Sequence, residues 1–398
     1  MTHVHHVITP GDHYSPRTGS AIPTVVHGLS TGARAAGDAE RYRPRVVLQA
    51  GTYRPLYDSA VPEEYDGAPG PGRGERLADV ARGRLGLARR ATERWFRPAV
   101  ARLRDEPPGI VLAHNAPLVP WLLRDSPHVP LLYAHNDLLR GYSRAEAGRV
   151  LGPAARIVCV SEALAERMRA RLPVALRGRV RVVGNGVDTV SFSPAASDPG
   201  ASAPAPAPER RRPLRVMFVG RAIPQKGADV LLRAAALLAR DDVEYVVVGS
   251  RGFDPGAVLS RYETRLRRLA ARVPGTVRFE PSVERAELPA LLRTADVLVA
   301  PSRWPEPWAL TVGEGLATGL PVIAARRGGI PEALGDAGML FDPDRPEQLA
   351  EAIATLVDDP ARRRTLGEAA RRHALARDWT WAWSRLADVL DEVDPARH

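Results

Sequence analysis

The sequence predicts an α/β protein built from two doubly wound parallel sheets, one on each side of a proline-rich segment at residues 193–213. Short apolar runs alternate with helix-period patterns before and after that segment, which is typical of repeated βαβ units. The segment itself has no apolar periodicity and predicts a semi-extended linker. A length of 398 residues also favours two domains over one core.

The first predicted domain covers residues 1–192, and the second covers residues 214–376. Strand-like apolar runs lie at 5–9, 45–49, 110–114, 130–135, 156–161 and 180–183 in the first domain, and at 214–219, 243–248, 277–279, 295–300 and 321–325 in the second. The final segment, 377–398, contains Trp379, Trp381 and Trp383 and predicts a helix that packs back on the body. Ligands bind at the carboxyl ends of parallel strands, so we expect the two domains to face a central cleft.

The composition excludes several classes of protein. With 44% hydrophobic and 26% charged residues, the chain is an ordinary globular protein, not a globally disordered one. No apolar stretch approaches the roughly 18 residues that cross a bilayer, and no signal-peptide pattern opens the chain, so we expect a cytoplasmic protein. The single cysteine, Cys159, excludes an internal disulfide framework and fits a buried strand position.

The formal net charge of +10 raises the question of an anionic partner. Arginine is spread over almost every segment, and no zinc-finger spacing or RNA-binding aromatic motif occurs, so we do not expect nucleic-acid binding. The densest basic run, residues 82–104, mixes Leu, Trp and Phe with its arginines. Contact between this run and an anionic membrane is therefore an alternative, although not the favoured one.

Among the 56 Lys and Arg residues, Lys226 is the only lysine. It closes a loop that starts with Gly220-Arg221 directly after a predicted strand and ends with Gly227. A compact ammonium differs from a planar guanidinium where a cation must fit close to a phosphate. Glycines also let the backbone approach a ligand, so Arg221 and Lys226 are predicted to neutralise a diphosphate that becomes a leaving group.

Two carboxylates stand eight residues apart, at Glu306 and Glu314. Pro307 suits the start of a helix, which predicts Glu306 in a strand-end loop and Glu314 about two turns inside the helix, on the same side. The amides of Trp308, Ala309 and Leu310 are then expected to point out of the helix N-terminus. Such amides bind a diphosphate or sugar oxygen.

With these motifs the sequence resembles the nucleotide-sugar glycosyltransferases of glycosyltransferase family 4, whose GT-B fold has two Rossmann-like domains. The resemblance covers nearly the whole chain. Besides the glutamate pair and the Arg221–Lys226 loop, its matching segments are Val183–Asp188 (VGNGVD), Val248–Ser250 (VGS) and Gly328–Glu332 (GGIPE).

The resemblance implies a role for each matching residue. The expected donor is a UDP-sugar. Arg221 and Lys226 would hold its diphosphate, and Glu306 with the amides of Trp308, Ala309 and Leu310 would hold its sugar. Glu314 would bind the ribose hydroxyls, and the base would lie near Ser250 and the backbone of Val283. The family implies retention of anomeric configuration, no cofactor and no essential divalent ion. Ala309 replaces a common glycine, and its methyl group narrows the space expected beside the donor sugar.

In the first domain, Gly19 lies in a loop where the family commonly has two glycines whose amides meet the donor phosphate. His135 follows a predicted strand and matches the family's active-site histidine near the donor sugar. His114 ends the neighbouring strand, and for it a structural role is favoured. His3, His5 and His6 lack a carboxylate or cysteine partner suited to zinc, so no metal site is predicted there.

Asp342-Pro343-Asp344 resembles the Asp-x-Asp metal clamp of other glycosyltransferases. We reject that interpretation, because an aspartate before the helix-like segment at 345–349 most simply caps it, and because two cations already serve the diphosphate.

The acceptor prediction depends on two aspartates. The segments at 15–24 and 135–142 look similar to glycosyltransferases of actinobacterial aminoglycoside pathways. Asp12 and Asp137 follow predicted strand ends, where carboxylates can pair with ammonium groups of a small aminocyclitol. Two alternatives stay open: a lipid or polysaccharide acceptor at a membrane surface, and a non-catalytic two-domain sugar-binding protein, which would not explain the cationic loop.

Overall fold

The computed structural model describes residues 1–194, 212–252 and 258–394. The chain forms two compact units: unit 1 comprises Met1–Gly186 and the chain from Arg377 onward, and unit 2 comprises Val187–Ala376. The first boundary therefore lies before the expected residue 192, because Phe192 is buried in the hydrophobic core of unit 2. Most of the predicted linker, residues 195–211, lies outside the described residues.

The described part of unit 1 contains a seven-stranded parallel sheet in the order β3-β2-β1-β4-β5-β6-β7. Its strands are β1 Thr2–Val7, β2 Tyr42–Gln49, β3 Val61–Tyr65, β4 Gly109–His114, β5 Val129–Ala134, β6 Ile157–Cys159 and β7 Val180–Val182. Its helices up to the boundary are α1 Ala21–Ala35, α2 Arg73–Arg84, α3 Arg90–Arg104, α4 Val119–Leu122, α5 Arg144–Leu151, α6 Glu162–Arg171 and α7 Val174–Arg177. The central strand β4 is buried at every position, as expected where helices cover both faces.

The described part of unit 2 contains a six-stranded parallel sheet in the order β10-β9-β8-β11-β12-β13. Its strands are β8 Leu214–Val219, β9 Val243–Val248, β10 Thr276–Glu280, β11 Val297–Ala300, β12 Val322–Ala325 and β13 Met339–Phe341. Its helices are α8 Ala228–Leu238, α9 Arg261–Ala270, α10 Leu288–Leu292, α11 Leu310–Ala317, α12 Ile330–Leu334, α13 Pro346–Asp358 and α14 Pro360–Leu375. The order places β8 and β11 side by side, so their strand-end loops are neighbours.

The last helix, α15 (Trp379–Asp391), belongs to unit 1 and packs on α1. The ring of Trp379 lies so close to Gly28 that a Cβ at that position would stand 2.1 Å from Trp379 Cε2. Trp383 is fully buried, and its Nε1 donates a hydrogen bond to Asp38 Oδ2 at 2.8 Å. The apolar face of α15 therefore completes the core of unit 1.

The arginine-dense run at residues 82–104 folds as the end of α2, a loop and α3. Helix α3 buries Phe96, Val100 and Leu103 in a hydrophobic cluster of unit 1, whereas Leu85 and Leu87 in the preceding loop are exposed. Within the ranges 1–194, 212–252 and 258–394, no helix is long and apolar enough to cross a membrane.

Candidate functional site

The predicted donor-binding residues of unit 2 follow the carboxyl ends of neighbouring strands. Arg221 follows β8, Ser250 follows β9, Val283 lies after β10 and Glu306 lies after β11. Because all four strands run parallel, these loops share one edge of the sheet. The backbone N–H of Ala222, next to Arg221, donates to Ser250 O at 2.9 Å and joins two of the loops.

The loop with the single lysine is pressed against the loop that follows β11. Pro224–Lys226 forms a 3-10 turn, and Gly227 ends it with φ of 75°. A Cβ at Gly227 would lie 1.9 Å from the carbonyl oxygen of Pro301, so both the left-handed backbone and the close approach require glycine. Gln225 O also accepts the N–H of Arg303 at 2.9 Å. These contacts fix the position of the lysine relative to the glutamate loop.

Lys226 and Glu306 contact each other directly. Lys226 Nζ donates to Glu306 Oε1 at 2.7 Å, and residue Glu306 is buried, with 6% of its surface exposed. Ser302 Oγ lies 2.8 Å from the same carboxylate oxygen and 2.9 Å from Gln225 O, and its one proton can serve either acceptor. Ammonium and carboxylate are thus held together at the end of the sheet.

The backbone of Glu306 is held by the glycine pair after β12. Gly329 N donates to Glu306 O at 2.7 Å. Gly328 has φ of 57°, and a Cβ there would stand 2.1 Å from Glu306 O. The Gly328-Gly329 motif therefore lets one loop lie directly on the other.

The prediction that Pro307 starts the following helix is wrong. Helix α11 begins at Leu310, and its N-cap Ala309 has an extended backbone, φ −108° and ψ 97°. Only Leu310 of the three predicted amide donors lies in the first helical turn, while Trp308 and Ala309 belong to the extended loop. The Gly328-Gly329 loop anchors the chain at Glu306, four residues before the helix begins. Glu314 consequently lies about one turn inside the helix instead of two.

Glu314 has a partner that the sequence did not reveal. It is buried, and Arg285 Nη1 donates to its Oε1 at 2.8 Å. The guanidinium of Arg285 also lies over the ring of Phe192, 5.4 Å from the centroid. A buried carboxylate requires a cation, but no pattern in the sequence singled out Arg285, which lies two residues after the predicted base-binding Val283. The pair connects the loop after β10 with α11.

Asp342 and Asp344 both pair with Arg327 and do not cap a helix. Arg327 Nη2 lies 3.0 Å from Asp342 Oδ1 and 2.6 Å from Asp344 Oδ2. The N-cap of α13 is Arg345, so the helix-capping interpretation of these aspartates is wrong. The backbone N–H of Asp344, together with Arg327, lowers the pKa of Asp342. The two carboxylates are accounted for by a cation of the chain itself.

In unit 1, His135 stands at the end of a row of three imidazoles across adjacent strands. His6 Nδ1 lies 2.9 Å from His114 Nε2, and His114 Nδ1 lies 2.7 Å from His135 Nε2. Burial lowers the pKa of His6 and of His135 to about 3, and it lowers the pKa of His114 well below its usual value. All three rings are therefore neutral near pH 7.

The row explains the placement of His114 and adds His6, which sequence reasoning had considered only for metal binding. β1, β4 and β5 are adjacent strands, so histidines near their carboxyl ends meet once the strand order is known. The backbone N–H of His135 also donates to Asn115 Oδ1 at 2.7 Å. His135 is thereby held from both its ring and its backbone.

The remaining predicted residues of unit 1 lie on strand-end loops. Gly19 is exposed just before α1. Asp12 Oδ1 accepts a hydrogen bond from Ser20 Oγ at 2.8 Å, and burial raises the pKa of Asp12. Asp137 Oδ1 lies 3.6 Å from Arg171 Nε, which is too long for a hydrogen bond but close enough for charge attraction. Neither aspartate is thus without a partner.

Comparison with known proteins identifies the class. The family model "Glycosyltransferase Family 4" matches residues 23–191, and "Glycosyl transferases group 1" matches residues 203–373. The chain is 32% identical to spore coat protein SA of Bacillus subtilis, over 76% of this chain and 82% of that protein. It is 36% identical to D-inositol 3-phosphate glycosyltransferase of Salinispora arenicola, over 69% of this chain and 66% of that protein. The chain is a family 4 glycosyltransferase.

The fold of this glycosyltransferase agrees with that assignment. A crystal structure of Anabaena HepE in complex with UDP superposes with a TM-score of 0.71 at 19% identity, covering 99% of this chain and 100% of that one. The predicted GT-B fold, with two parallel sheets and interleaved helices, is confirmed. In this glycosyltransferase the cationic loop and the glutamate pair lie in unit 2, and the histidine row and the two aspartates lie in unit 1.

Proposed function

We propose that this glycosyltransferase moves the sugar of a nucleotide sugar, a UDP-sugar, to a hydroxyl group of a small acceptor, with retention of anomeric configuration. The observation that carries the proposal is the contact of Lys226 Nζ with Glu306 Oε1 at 2.7 Å. It holds a cation suited to a diphosphate beside a carboxylate suited to sugar hydroxyls.

The cations serve the leaving group. Negative charge grows on the diphosphate as the glycosidic bond breaks, and a positioned cation stabilises that charge. Lys226 is fixed by the contacts of its loop, and Arg221 is exposed on the same loop. The two side chains are the proposed diphosphate clamp.

Two carboxylates orient the donor. Glu306 accepts hydrogen bonds from the sugar hydroxyls, and Glu314 accepts them from the ribose. Arg285 holds Glu314 by one oxygen, Oε1. The base is proposed to lie by Ser250 and the backbone of Val283, as the family resemblance implies.

His135 is proposed to contact the donor sugar. It is a neutral imidazole, since burial lowers its pKa to about 3, and a neutral ring both donates and accepts hydrogen bonds. Gly19 is proposed to offer its amide to the donor phosphate.

In the proposed reaction the bond from the anomeric carbon to the diphosphate oxygen breaks as the bond to the acceptor oxygen forms on the same face. The acceptor proton passes to the departing phosphate oxygen, so the products are the glycoside and the protonated nucleotide. Glu306 already contacts Lys226 and Ser302, an arrangement that supports hydroxyl binding over attack at carbon. A covalent intermediate is not part of the proposal.

We further propose that the transfer needs no divalent cation, because Arg221 and Lys226 supply the charge and Arg327 occupies Asp342 and Asp344. Excess chelator should then change the rate by less than about twofold. Loss of activity in chelator, restored by magnesium or manganese, would return the two aspartates to consideration.

The proposed acceptor is a small cyclitol, specifically an aminocyclitol of the kind used in aminoglycoside biosynthesis. Two carboxylates, Asp12 and Asp137, lie on loops after β1 and β5. Carboxylates pair with ammonium groups, although Arg171 competes for Asp137. Similarity to D-inositol 3-phosphate glycosyltransferases supports a cyclitol ring as the acceptor.

The test is a screen of UDP-, GDP- and ADP-linked hexoses against 2-deoxystreptamine, inositol phosphate, a polysaccharide and a lipid acceptor, with mass spectrometry of the products. We expect a mass increase of one glycosyl unit on 2-deoxystreptamine with a UDP-hexose. Transfer to lipid or polysaccharide alone would overturn the small-acceptor proposal. Equal transfer to the cationic acceptor by Asp137→Asn and by the parent would overturn the role of Asp137.

A further inference from the structure

We infer that Glu306 makes this enzyme discriminate against the free nucleoside diphosphate and in favour of the intact nucleotide sugar. The inference rests on the proposed donor site and adds a second role for Glu306, beyond its hydrogen bonds to the sugar. Its basis is that Glu306 and any bound diphosphate share one ammonium group, that of Lys226.

The shared contact sets the distance between the two anions. Lys226 Nζ lies 2.7 Å from Glu306 Oε1, with the Lys226 side chain 31% exposed and the Glu306 side chain 7% exposed. An ammonium has three donors in tetrahedral directions, so a phosphate oxygen on a second donor would lie about 4–5 Å from the carboxylate. Like charges at that distance in a partly buried site repel each other appreciably.

Glu306 is not free to move away from such an anion. Ser302 Oγ lies 2.8 Å from the same carboxylate oxygen, and Gly329 N donates to the Glu306 backbone at 2.7 Å. Gly328, next to Gly329, also lies close to Glu306 O, so the glycine pair holds the backbone of Glu306 in place. An anionic ligand that binds the Lys226 ammonium therefore lies close to the negative charge of Glu306.

The two nucleotide ligands differ in charge at this point. The terminal phosphate of a free nucleoside diphosphate has a second ionisation with a pKa of about 6, so it carries close to two negative charges at pH 7. In the nucleotide sugar that oxygen is esterified, the phosphate carries one charge, and the sugar offers hydroxyl donors to Glu306. Glu306 thus repels the product more than the substrate, which favours product release after transfer.

The decisive measurement is calorimetric titration of the full chain with UDP and with UDP-glucose, before and after Glu306→Gln. We expect the variant to bind UDP about three- to tenfold more tightly, the size of one partly buried charge contact. Its affinity for UDP-glucose should not rise. The gain for UDP should shrink between 0.05 and 0.5 M salt, because salt screens the repulsion. An unchanged or weaker affinity for UDP in Glu306→Gln would overturn the inference.

Glu314→Gln is the matched control, since it neutralises another buried carboxylate of unit 2 that pairs with Arg285 and not with Lys226. This variant should weaken the binding of UDP and of UDP-glucose by the same factor and leave the ratio of the two affinities unchanged. Glu306→Asp, which keeps the charge but withdraws it from Lys226, should give a smaller gain for UDP and provides a second variant should Glu306→Gln fold poorly.

Lys226→Ala separates this inference from the proposed function. If it leaves the UDP affinity unchanged, the proposed diphosphate site itself fails. If it weakens UDP binding while Glu306→Gln does not strengthen it, the donor site stands and only the discrimination by Glu306 is overturned.

Discussion

At the scale of single residues, the position of the Lys226 ammonium is set by its neighbours. Its ammonium contacts a buried carboxylate at 2.7 Å, and its turn is bonded through Gln225 to the loop after β11. These contacts hold the ammonium beside the carboxylate. A chain that uses arginine elsewhere has its one lysine at the point where a compact ammonium contacts a buried carboxylate, and a planar guanidinium would direct its donors differently.

We predict that Lys226→Ala lowers turnover by about 100-fold or more, because the leaving diphosphate loses a positioned cation. Lys226→Arg keeps the charge, yet we expect a substantial loss as well, because the planar guanidinium is larger. Steady-state kinetics of both variants with the donor found in the screen provide the measurement, and unchanged melting temperatures exclude misfolding. Near parental turnover in either variant would contradict the assignment of Lys226.

The histidine row makes a separate residue-scale prediction, about stability. His6 is fully buried, and burial lowers its folded-state pKa to about 3. Between that value and the unfolded pKa of about 6.5 the unfolded chain binds more protons, so stability falls as the pH drops below about 6.5. At pH 5 the free energy of unfolding is lower by about 2 kcal/mol for one such histidine.

His6→Gln removes this titration while keeping a polar side chain. The variant is expected to be less stable than the parent at pH 7.5, because the row is broken, but its loss of stability between pH 7.5 and pH 5 should be smaller by about 2 kcal/mol. Urea unfolding at both pH values measures the difference. An equal loss in parent and variant would show that the His6 ring does not resist protonation.

At the scale of elements, the donor-side loops are assembled by backbone contacts between neighbouring strand ends. Gly227 lies against Pro301, and Gly328 lies against Glu306. Both glycines have positive φ, so each combines a strained backbone region with a close approach. The carboxylate and the ammonium are positioned by these loops and not by a single secondary-structure element.

Gly328→Ala is predicted to lower turnover by at least about tenfold, because its methyl group would stand 2.1 Å from Glu306 O and shift that residue. Gly37→Ala is the matched control: Gly37 has φ of 77° but nothing within 4 Å of its Cβ position. It carries the cost of positive φ alone, about 1 kcal/mol of stability, with little effect on turnover. A similar turnover for both variants would contradict the role given to Gly328.

At the scale of the whole molecule, the chain leaves unit 1 at Gly186, forms unit 2, and returns to unit 1 at Arg377. Helix α15 is therefore a part of unit 1 that follows unit 2 in the sequence. Trp379 packs against Gly28 of α1, and Thr2 Oγ1 donates to Asp394 Oδ1 at 2.9 Å. Unit 1 is thus built from segments on both sides of unit 2.

Trp379→Ala should destabilise unit 1 by about 3–5 kcal/mol, the usual cost of removing a large buried aromatic side chain. Hydrogen–deuterium exchange should rise in peptides from α1 and β1 and stay unchanged in β8 and β9 of unit 2. Trp381→Ala, on the same helix but less buried, is the control. Equal protection of α1 in the parent and in Trp379→Ala would contradict the packing role of Trp379.

Elements whose signals are local could be predicted from the sequence alone. Strands β8 and β9 have the predicted bounds, 214–219 and 243–248, because each ends in a run of four apolar residues that stops at a glycine. Strands β3 and β13 were not predicted. β3 contains Pro62 and two glutamates and so has no apolar run, whereas β13 is apolar but only three residues long, too short for a clear strand pattern. The family and the GT-B fold followed from motifs that each lie within one short segment.

Which side chains meet depends on the tertiary fold. The pairing of Glu314 with Arg285 and the row from His6 to His135 both depend on strand order and on contacts between loops. Residues distant in sequence become neighbours when parallel strands end at one edge, and periodicity within a segment carries no information about that adjacency. The sequence thus identified the residues that carry the chemistry, and the packing of neighbouring strand ends determined their partners.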